Sequence, residues 1–400
     1  MDTELLRRLA TPNTTKIVLS VVDGLGGMAD ARTHRSELET ANIPQLDNLA
    51  GDAVCGLTIP VDYGVTPGSG PGHMSLFGYD PLQYEVGRGV LEALGIDFDL
   101  QRSDVASRGN FCTLDAEGKI TDRRAGRIPT TLTVELSERL NQIKLPGVEL
   151  LIEPVREHRF VLVLRGEGLE GDLAQTDPER ENVEPLPVKA ISKKAQATAD
   201  LANEFVKQAQ KVLSDQKQAN GVLLRGFAKY PDLPSLPEVT QMRAGAFAVY
   251  PMYRGLAKLA GMEVSAGGGT QESQLEALKS RWNDFDFFFY HFKRADAAGE
   301  DGDFHAKVQA LEEYDKLIPK LRALGADVLM VAGDHSTPSQ FAAHSWHPVP
   351  FLLYSKHGTI DRVEQFNEAA CLGGALGTFP ARHALSLAMA NAGRLMKYGA

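Results

Sequence analysis

The chain has 400 residues, of which 42 are Lys or Arg and 52 are Asp or Glu, for a formal net charge of −10. That length exceeds what one compact core usually holds, so two domains are expected, and the acidic balance, with no long basic run, excludes an electrostatic footprint for nucleic acid or an anionic membrane. The 43% of apolar residues fall in strand-sized runs, far short of the roughly 20 that a membrane helix needs, and the three scattered cysteines, Cys55, Cys112 and Cys371, supply neither a disulfide framework nor a zinc spacing.

The N-terminal stretch MDTELLRRLATPNTTK lacks the apolar core of a secretory signal, and with the odd cysteine count it predicts a cytoplasmic location. Residues 16–23 (KIVLSVVD) read as a buried strand ending on a carboxylate. Directly after it, DGLGGMA matches the dinucleotide-binding fingerprint through Gly24, Gly26 and Ala29. Against that reading, Asp23 would stand where a pyrophosphate must approach, and polar residues with a proline follow where a helix should open. The loop TPGSGPGHMSLFGYD, 66–80, flanks Ser69 with Gly68 and Gly70 ahead of a short helical pattern. Glycines let a backbone approach a phosphate, and a helix N-terminus favours its charge. The loop lacks the lysine-bearing pattern of a nucleoside-triphosphate cradle.

From about 103 to 239 the pattern changes to short β-like pieces, HRFVLVLRG and GVLLRG, among helical and proline-rich stretches, with 177–187 (DPERENVEPLP) an exposed loop by composition. This region reads as a smaller α+β domain inserted between 1–102 and 240–400. The run GAFAVYPMYRGLAKLAGMEV, from Gly245, returns the chain to the first domain. Two more buried strands with acidic ends follow, 284–296 (DFDFFFYHFKRAD) and 327–334 (DVLMVAGD), separated by an amphipathic segment at 307–323 that Pro319 should interrupt and Gly325 should stop. The resulting fold class is α/β, an open and mostly parallel sheet with helices on both faces, whose ligands bind beyond the carboxyl ends of the strands.

Asp23, Asp296 and Asp334 would then share one edge. Any one of them alone could cap the next helix, but three carboxylates in one pocket demand a cation. His335 follows Asp334 directly, and His344 and His347 come soon after in AAHSWHPVP. A mixed carboxylate and imidazole set suits zinc, manganese or iron better than calcium. A serine held beside such an ion becomes a nucleophile for phosphorus when its proton is removed.

With these residues in hand, the chain resembles the alkaline phosphatase superfamily and, within it, the 2,3-bisphosphoglycerate-independent phosphoglycerate mutases of the archaeal type. The resemblance rests on VVDGLGG, TPGSGPGHMSLFGYDP with GRGVLEALG, DVASRGNFCTLD with ITDRRAGRI, KRADAAGEDGD, and GDHSTP with HSWHPVP, in family order across nearly the whole chain. It implies interconversion of 2- and 3-phosphoglycerate through a phosphoserine, with two divalent metals, manganese or magnesium ahead of zinc, and no 2,3-bisphosphoglycerate cofactor. It makes Ser69 the nucleophile. Asp23, Asp334, His335 and the Ser69 oxygen become one metal site, and Asp296, Glu300 and His344 the other, with His347 outside the ligand set. Arg108, Arg124, Arg127 and Arg225 become substrate contacts from the inserted domain, and Lys293 a phosphate contact. The chain departs from the family at Glu300, where a histidine is usual, which opens the metal preference of the second site. Other phosphotransferases of the superfamily, such as homoserine kinase-like proteins, phosphopentomutases and phosphatases, would share the metals and the serine. The sequence sets no oligomeric state.

Overall fold

The computed structural model describes residues 3–399, which divide into two compact units, 3–85 with 233–399, and 86–232. Its strands are β1 (Ile17–Val22), β2 (Val54–Ile59), β3 (Asp104–Leu114), β4 (Ile120–Asp122), β5 (Glu149–Arg156), β6 (Arg159–Arg165), β7 (Gly221–Lys229), β8 (Ala244–Phe247), β9 (Glu263–Val264), β10 (Phe287–Phe292), β11 (Val328–Ala332), β12 (Val349–Ser355) and β13 (Gly377–Pro380).

The first unit is built on an eight-stranded sheet in the order β13-β2-β12-β11-β1-β10-β8-β9. It is mostly parallel: only β12 runs against its neighbours β11 and β2. The three strands expected to end on acids are adjacent, with Ile17 level with Phe287 on one side and Val328 on the other. Every residue of β1, β10 and β11 is buried, as strands covered on both faces must be. On one face Val18, Val22, Phe288, Phe292, Leu329 and Val331 pack with Leu46, Leu49, Leu311, Tyr314 and Leu321 from three helices. On the other, Leu19, Val21 and Phe289 are equally enclosed.

Pro319 interrupts the expected 307–323 helix. The helix Phe304–Asp315, capped by the Asp303 carboxylate, ends before a second one, Ile318–Arg322, that carries the proline in its first turn, where no backbone donor is required. The strand expected to reach Asp296 stops at Phe292 instead. The alanine-rich stretch beyond it forms the helix Arg294–Glu300 and puts Asp296 in that helix's first turn, where the helix dipole favours a carboxylate.

The dinucleotide reading fails on geometry. No helix follows DGLGGMA; Leu25 and Gly26 pair with Ser336 instead, and the next helix is the four-residue Glu37–Thr40. A Cβ on Gly26 would lie 1.9 Å from Ser336 Oγ, so the glycine admits a neighbouring loop and not a phosphate.

The 86–232 unit is antiparallel. Strand β3 pairs with β4, β6 and β7, and β5 flanks β6. Leu136 and Leu140 of the helix Thr130–Leu140, and Ala202 and Phe205 of the helix Gln196–Val212, pack on Phe160, Leu162 and Leu224. The loop 177–187 is largely exposed, but Asp177 is not: it is 1% exposed and takes two hydrogen bonds from the Arg123 guanidinium, at 2.9 and 2.8 Å. Composition could not show that one acid of this loop is an anchor. The three cysteines are buried and free, and no described helix is long and apolar enough to cross a membrane.

Burial pushes the Asp177 carboxyl up, but the hydrogen bonds from Arg123 and the Glu179 N–H, with the charges of Arg123 and Arg225, together outweigh it and leave the group below its ordinary range. A depressed carboxyl stabilises the fold above its unfolded pKa of about 3.9 and loses that contribution as pH falls through the folded value. Arg123→Met should therefore cost about 2 kcal/mol at pH 7, with the gap to the parent closing in acid. Urea melts followed by circular dichroism at several pH values test this, and a gap that persists in strong acid would assign the loss to packing instead.

Candidate active site

The carboxyl ends of β11, β1 and β10 lie side by side, so the residues just beyond them meet. Asp23 follows β1 directly and donates its N–H to the Phe292 carbonyl at 2.9 Å, which holds it against the end of β10. Asp334 is the second residue past β11, and Asp296 comes in from its helix. All three are buried, together with His73, His291 and His335. Donor atoms of Asp23, Asp334 and His335 lie within 4.8 Å of one another, as do those of Asp296, His335 and His344.

His335 is the meeting point of these groups. Its Nε2 stands 3.4 Å from Asp23 Oδ1, 3.1 Å from Asp334 Oδ2 and 3.2 Å from Ser69 Oγ. Ser69 is the first residue of the eight-residue helix Ser69–Leu76, so its hydroxyl sits among backbone N–H groups that favour an anion. The helix approaches this closely because residue 72 is glycine: a Cβ there would lie 2.2 Å from the Asp334 carbonyl oxygen. One turn on, His73 Nδ1 donates to the Ser69 carbonyl at 2.8 Å and lies 3.1 Å from Asp334 Oδ2. The histidine thus ties the backbone of the serine to the carboxylates.

The second cluster opens toward solvent. His344 Nδ1 donates to the Pro67 carbonyl at 2.9 Å, and its Nε2 faces Asp296 Oδ1 at 3.6 Å and Glu300 Oε1 at 3.5 Å. Its ring stacks on His335 with centroids 3.6 Å apart. Glu300 is one helical turn beyond Asp296, so both carboxylates reach the same imidazole. His347 points elsewhere: it bonds Ser345 Oγ at 2.9 Å and stacks on Trp346.

Electrostatics bind these groups into one unit. Burial drives the Asp334 carboxyl up, but the His335 and His73 imidazoles outweigh it and hold the group well below the usual carboxylate range. Asp296 is raised, by burial first and by Asp23 second, and burial brings His291 down to about 4. The Lys293 ammonium lies 3.2 Å from Asp23 Oδ2 and hydrogen-bonds Asp296; burial works against its charge, but the two carboxylates more than compensate. That is one lysine for three acids. Both oxygens of Asp23, Asp334 Oδ2, and Nε2 of His73 and His291 are buried without a hydrogen-bond partner, although His291 Nε2 approaches Asp23 Oδ2 to 3.2 Å. Orphaned carboxylate oxygens cost several kcal/mol, and a mixed oxygen and nitrogen donor set of this kind fits a divalent cation.

The four arginines belong to the 86–232 unit. Arg108 and Arg225 face each other across β3 and β7. Arg108 pairs with Glu92 at 3.1 Å, and burial, with Arg88, Arg159 and Arg225 nearby, lowers its pKa to about 10 against the pull of Glu92. Arg225 lies 3.4 Å from Glu179 and 3.8 Å from Asp177. Arg124 and Arg127 are exposed on a turn where Ala125, Gly126 and Arg127 all have positive φ, held by Asp122 through the N–H groups of Arg124 and Gly126 at 2.7 and 2.6 Å.

Sequence reasoning missed His73 and His291, Thr337, whose hydroxyl donates to Asp296 Oδ1, Lys307, which donates to the Thr337 carbonyl, and Tyr253, whose ring stacks on His291 with centroids 3.8 Å apart. His291 lies inside an apolar strand and Tyr253 in an apolar helical run. His73 had a usable signal, standing four residues after Ser69 and therefore on the same helix face.

A serine at a helix N-terminus, set against two adjoining carboxylate and imidazole clusters at the carboxyl edge of a mostly parallel sheet, is the layout of a metal-assisted phosphoryl-transfer enzyme. The sequence pattern of the family described as 2,3-bisphosphoglycerate-independent phosphoglycerate mutase matches residues 50–219. A Thermotoga maritima protein named "Probable 2,3-bisphosphoglycerate-independent phosphoglycerate mutase" is 47% identical over 400 residues, 99% of each chain. A Thermus thermophilus protein of the same name is 46% identical over 99% of this chain and 98% of its own. Among solved structures, the cofactor-independent phosphoglycerate mutase of Thermoplasma acidophilum is 28% identical, with a TM-score of 0.72 over 94% of this chain and 100% of that one. A Pyrococcus horikoshii protein reaches 0.84 at 27% identity, over 97% and 100%. The chain belongs to the 2,3-bisphosphoglycerate-independent phosphoglycerate mutase family.

Gly72→Ala should push the Ser69 helix off the Asp334 loop and cost about 1–3 kcal/mol in a urea melt, the range of an overpacked interior. A variant as stable as the parent would mean that the helix has room to shift.

Proposed function

We propose that the chain interconverts 2-phosphoglycerate and 3-phosphoglycerate through a phosphoserine on Ser69. The observation that carries this reading is the Ser69 hydroxyl at a helix N-terminus, 3.2 Å from His335 Nε2, beside buried carboxylate oxygens of Asp23 and Asp334 that have no hydrogen-bond partner. Asp23, Asp334 and His335, with the Ser69 oxygen, would hold one divalent ion, and Asp296, Glu300 and His344 the other; manganese or magnesium suits the carboxylate-rich set, with zinc as the alternative. Such ions, when bound, lower the proton affinity of the serine hydroxyl and offset charge on the phosphoryl group.

Ser69 Oγ forms a bond to phosphorus as the ester bond to the glycerate oxygen breaks, and the serine proton ends on the glycerate hydroxyl so released. The other glycerate hydroxyl then attacks the phosphoserine, and Ser69 recovers its proton. The N–H groups of the Ser69 helix face the transferring oxygens, and Lys293 adds a positive charge beside them. A mutase must keep glycerate bound while its phosphate rests on the serine, whereas a phosphatase must admit water. We assign that retention to an inserted domain, 103–239, with Arg108, Arg124, Arg127 and Arg225 as contacts to carboxylate and phosphate. Residues 1–102 and 240–400 supply the metals and the nucleophile.

Incubation with 3-phosphoglycerate and Mn2+ should yield 2-phosphoglycerate with little free phosphate, and release of phosphate alone would overturn the mutase reading. Ser69→Ala should cut turnover at least about a thousandfold without unfolding the chain, and a quenched reaction of the parent should carry phosphate on Ser69; a phosphopeptide elsewhere would move the nucleophile. Glu300→Gln removes a charge and keeps the size. If Glu300 is a ligand, the variant should need about tenfold more Mn2+ to fill the weaker site, and a calorimetric titration that overlays the parent would take Glu300 out of the site.

A further inference from the structure

Thr337 belongs to none of the groups assigned so far, yet each of its polar atoms is used. Its N–H donates to the Gly26 carbonyl at 3.0 Å. Its carbonyl accepts from the Lys307 ammonium at 2.8 Å. Its hydroxyl lies 2.7 Å from Asp296 Oδ1 and 3.0 Å from His335 Nδ1. The residue is fully enclosed, as is Lys307, whose ammonium also donates to the Gly26 carbonyl at 2.8 Å.

A hydroxyl has one proton, and that limits the arrangement. An ionised carboxylate only accepts, so the Thr337 proton goes to Asp296 Oδ1. The hydroxyl oxygen must then accept from His335 Nδ1–H. An imidazole protonated at Nδ1 alone has its lone pair on Nε2, the atom that faces Asp23, Asp334 and Ser69. One hydroxyl thus selects the His335 tautomer for the first cluster and aims an Asp296 oxygen in the second. Lys307 keeps it in place by clamping the loop after β1 to the loop after β11. A buried ammonium is a costly clamp, since burial works against its charge while Glu37 and Glu368 support it.

We infer that Thr337, held by Lys307, is the positioning residue that sets His335 Nε2 and Asp296 Oδ1 together, so that the two cation sites are prepared as a pair. The inference rests on the two-ion reading above and adds that the sites are linked through this one side chain. Groups that orient metal ligands from behind are typically worth 10–100-fold in metal affinity.

The test titrates Mn2+ calorimetrically into metal-stripped parent, Thr337→Val and Thr337→Ser, with folding checked by circular dichroism. Valine keeps the shape and deletes the hydroxyl; serine keeps the hydroxyl. The expected result is two equivalents bound by the parent, both weakened about tenfold or more in T337V, and both restored to within about threefold in T337S. A T337V isotherm that overlays the parent, weakening at only one site, or T337S as weak as T337V would overturn the inference. A parent that binds no Mn2+ would sink the two-ion reading itself. Should T337V fail to fold, nitrogen-15 spectra of the imidazoles in the metal-stripped parent, with the His335 signals identified by their loss in His335→Gln, decide independently. A proton on Nδ1 supports the inference, and an Nδ1 without a proton overturns it.

Discussion

Mutual repulsion of buried carboxylates is the constraint on which the rest of the structure depends. Asp23 and Asp334 present oxygens within 4.8 Å of each other in a fully enclosed setting, and two charges at that separation repel by about 3.5 kcal/mol at an effective dielectric of about 20. Asp296 adds a third. The fold does not avoid this arrangement but makes it, because three adjacent parallel strands in level register end at one edge. Every nearby feature counters the negative charge: Lys293 between Asp23 and Asp296, His73 and His335 on Asp334, and the N-terminus of the Ser69 helix.

That compensation is incomplete, and the shortfall is informative. Both oxygens of Asp23 and one of Asp334 remain buried without a hydrogen-bond partner, a state that calls for a further group to complete it. The serine stands at the same place, so whatever meets the carboxylates also meets the Ser69 hydroxyl. Attraction for a cation and activation of a hydroxyl are therefore one arrangement viewed from two sides.

Close approach of loops is the mechanical counterpart. Glycine at 72 lets the Ser69 helix press on the Asp334 loop, and glycine at 26 lets the loop after β1 touch Ser336. Lys307 then closes the assembly from beneath, bonding carbonyls of both loops. The acidic edge is thus fastened to the sheet by backbone contacts and a buried cation, which suits a cluster whose side chains come from segments hundreds of residues apart. The second cluster is built differently, with His344 on a loop and Glu300 half-exposed, so its composition has more freedom to vary.

Much of this was legible in the amino-acid sequence, for a physical reason: a parallel strand buried on both faces must be apolar throughout, so KIVLSVV and DVLMVAG declare themselves, and the acid that ends each run stands out. The Gly-Ser-Gly loop and the Asp-His pair are visible on the same grounds, since local backbone freedom and adjacent carboxylate and imidazole groups leave local traces. The end of β10 was misjudged by four residues because an apolar run does not show where a helix takes over, so Asp296 came from a helix and not from a strand. Composition likewise could not separate Asp177, an enclosed partner of Arg123, from the exposed acids beside it. What only the tertiary structure decided is which distant groups meet: His73 against Asp334, His335 stacked on His344, and Thr337 between Asp296 and His335. Those pairings depend on strand order and loop approach, which no single segment encodes, and so the chemistry of the edge was written in the sequence while its geometry was not.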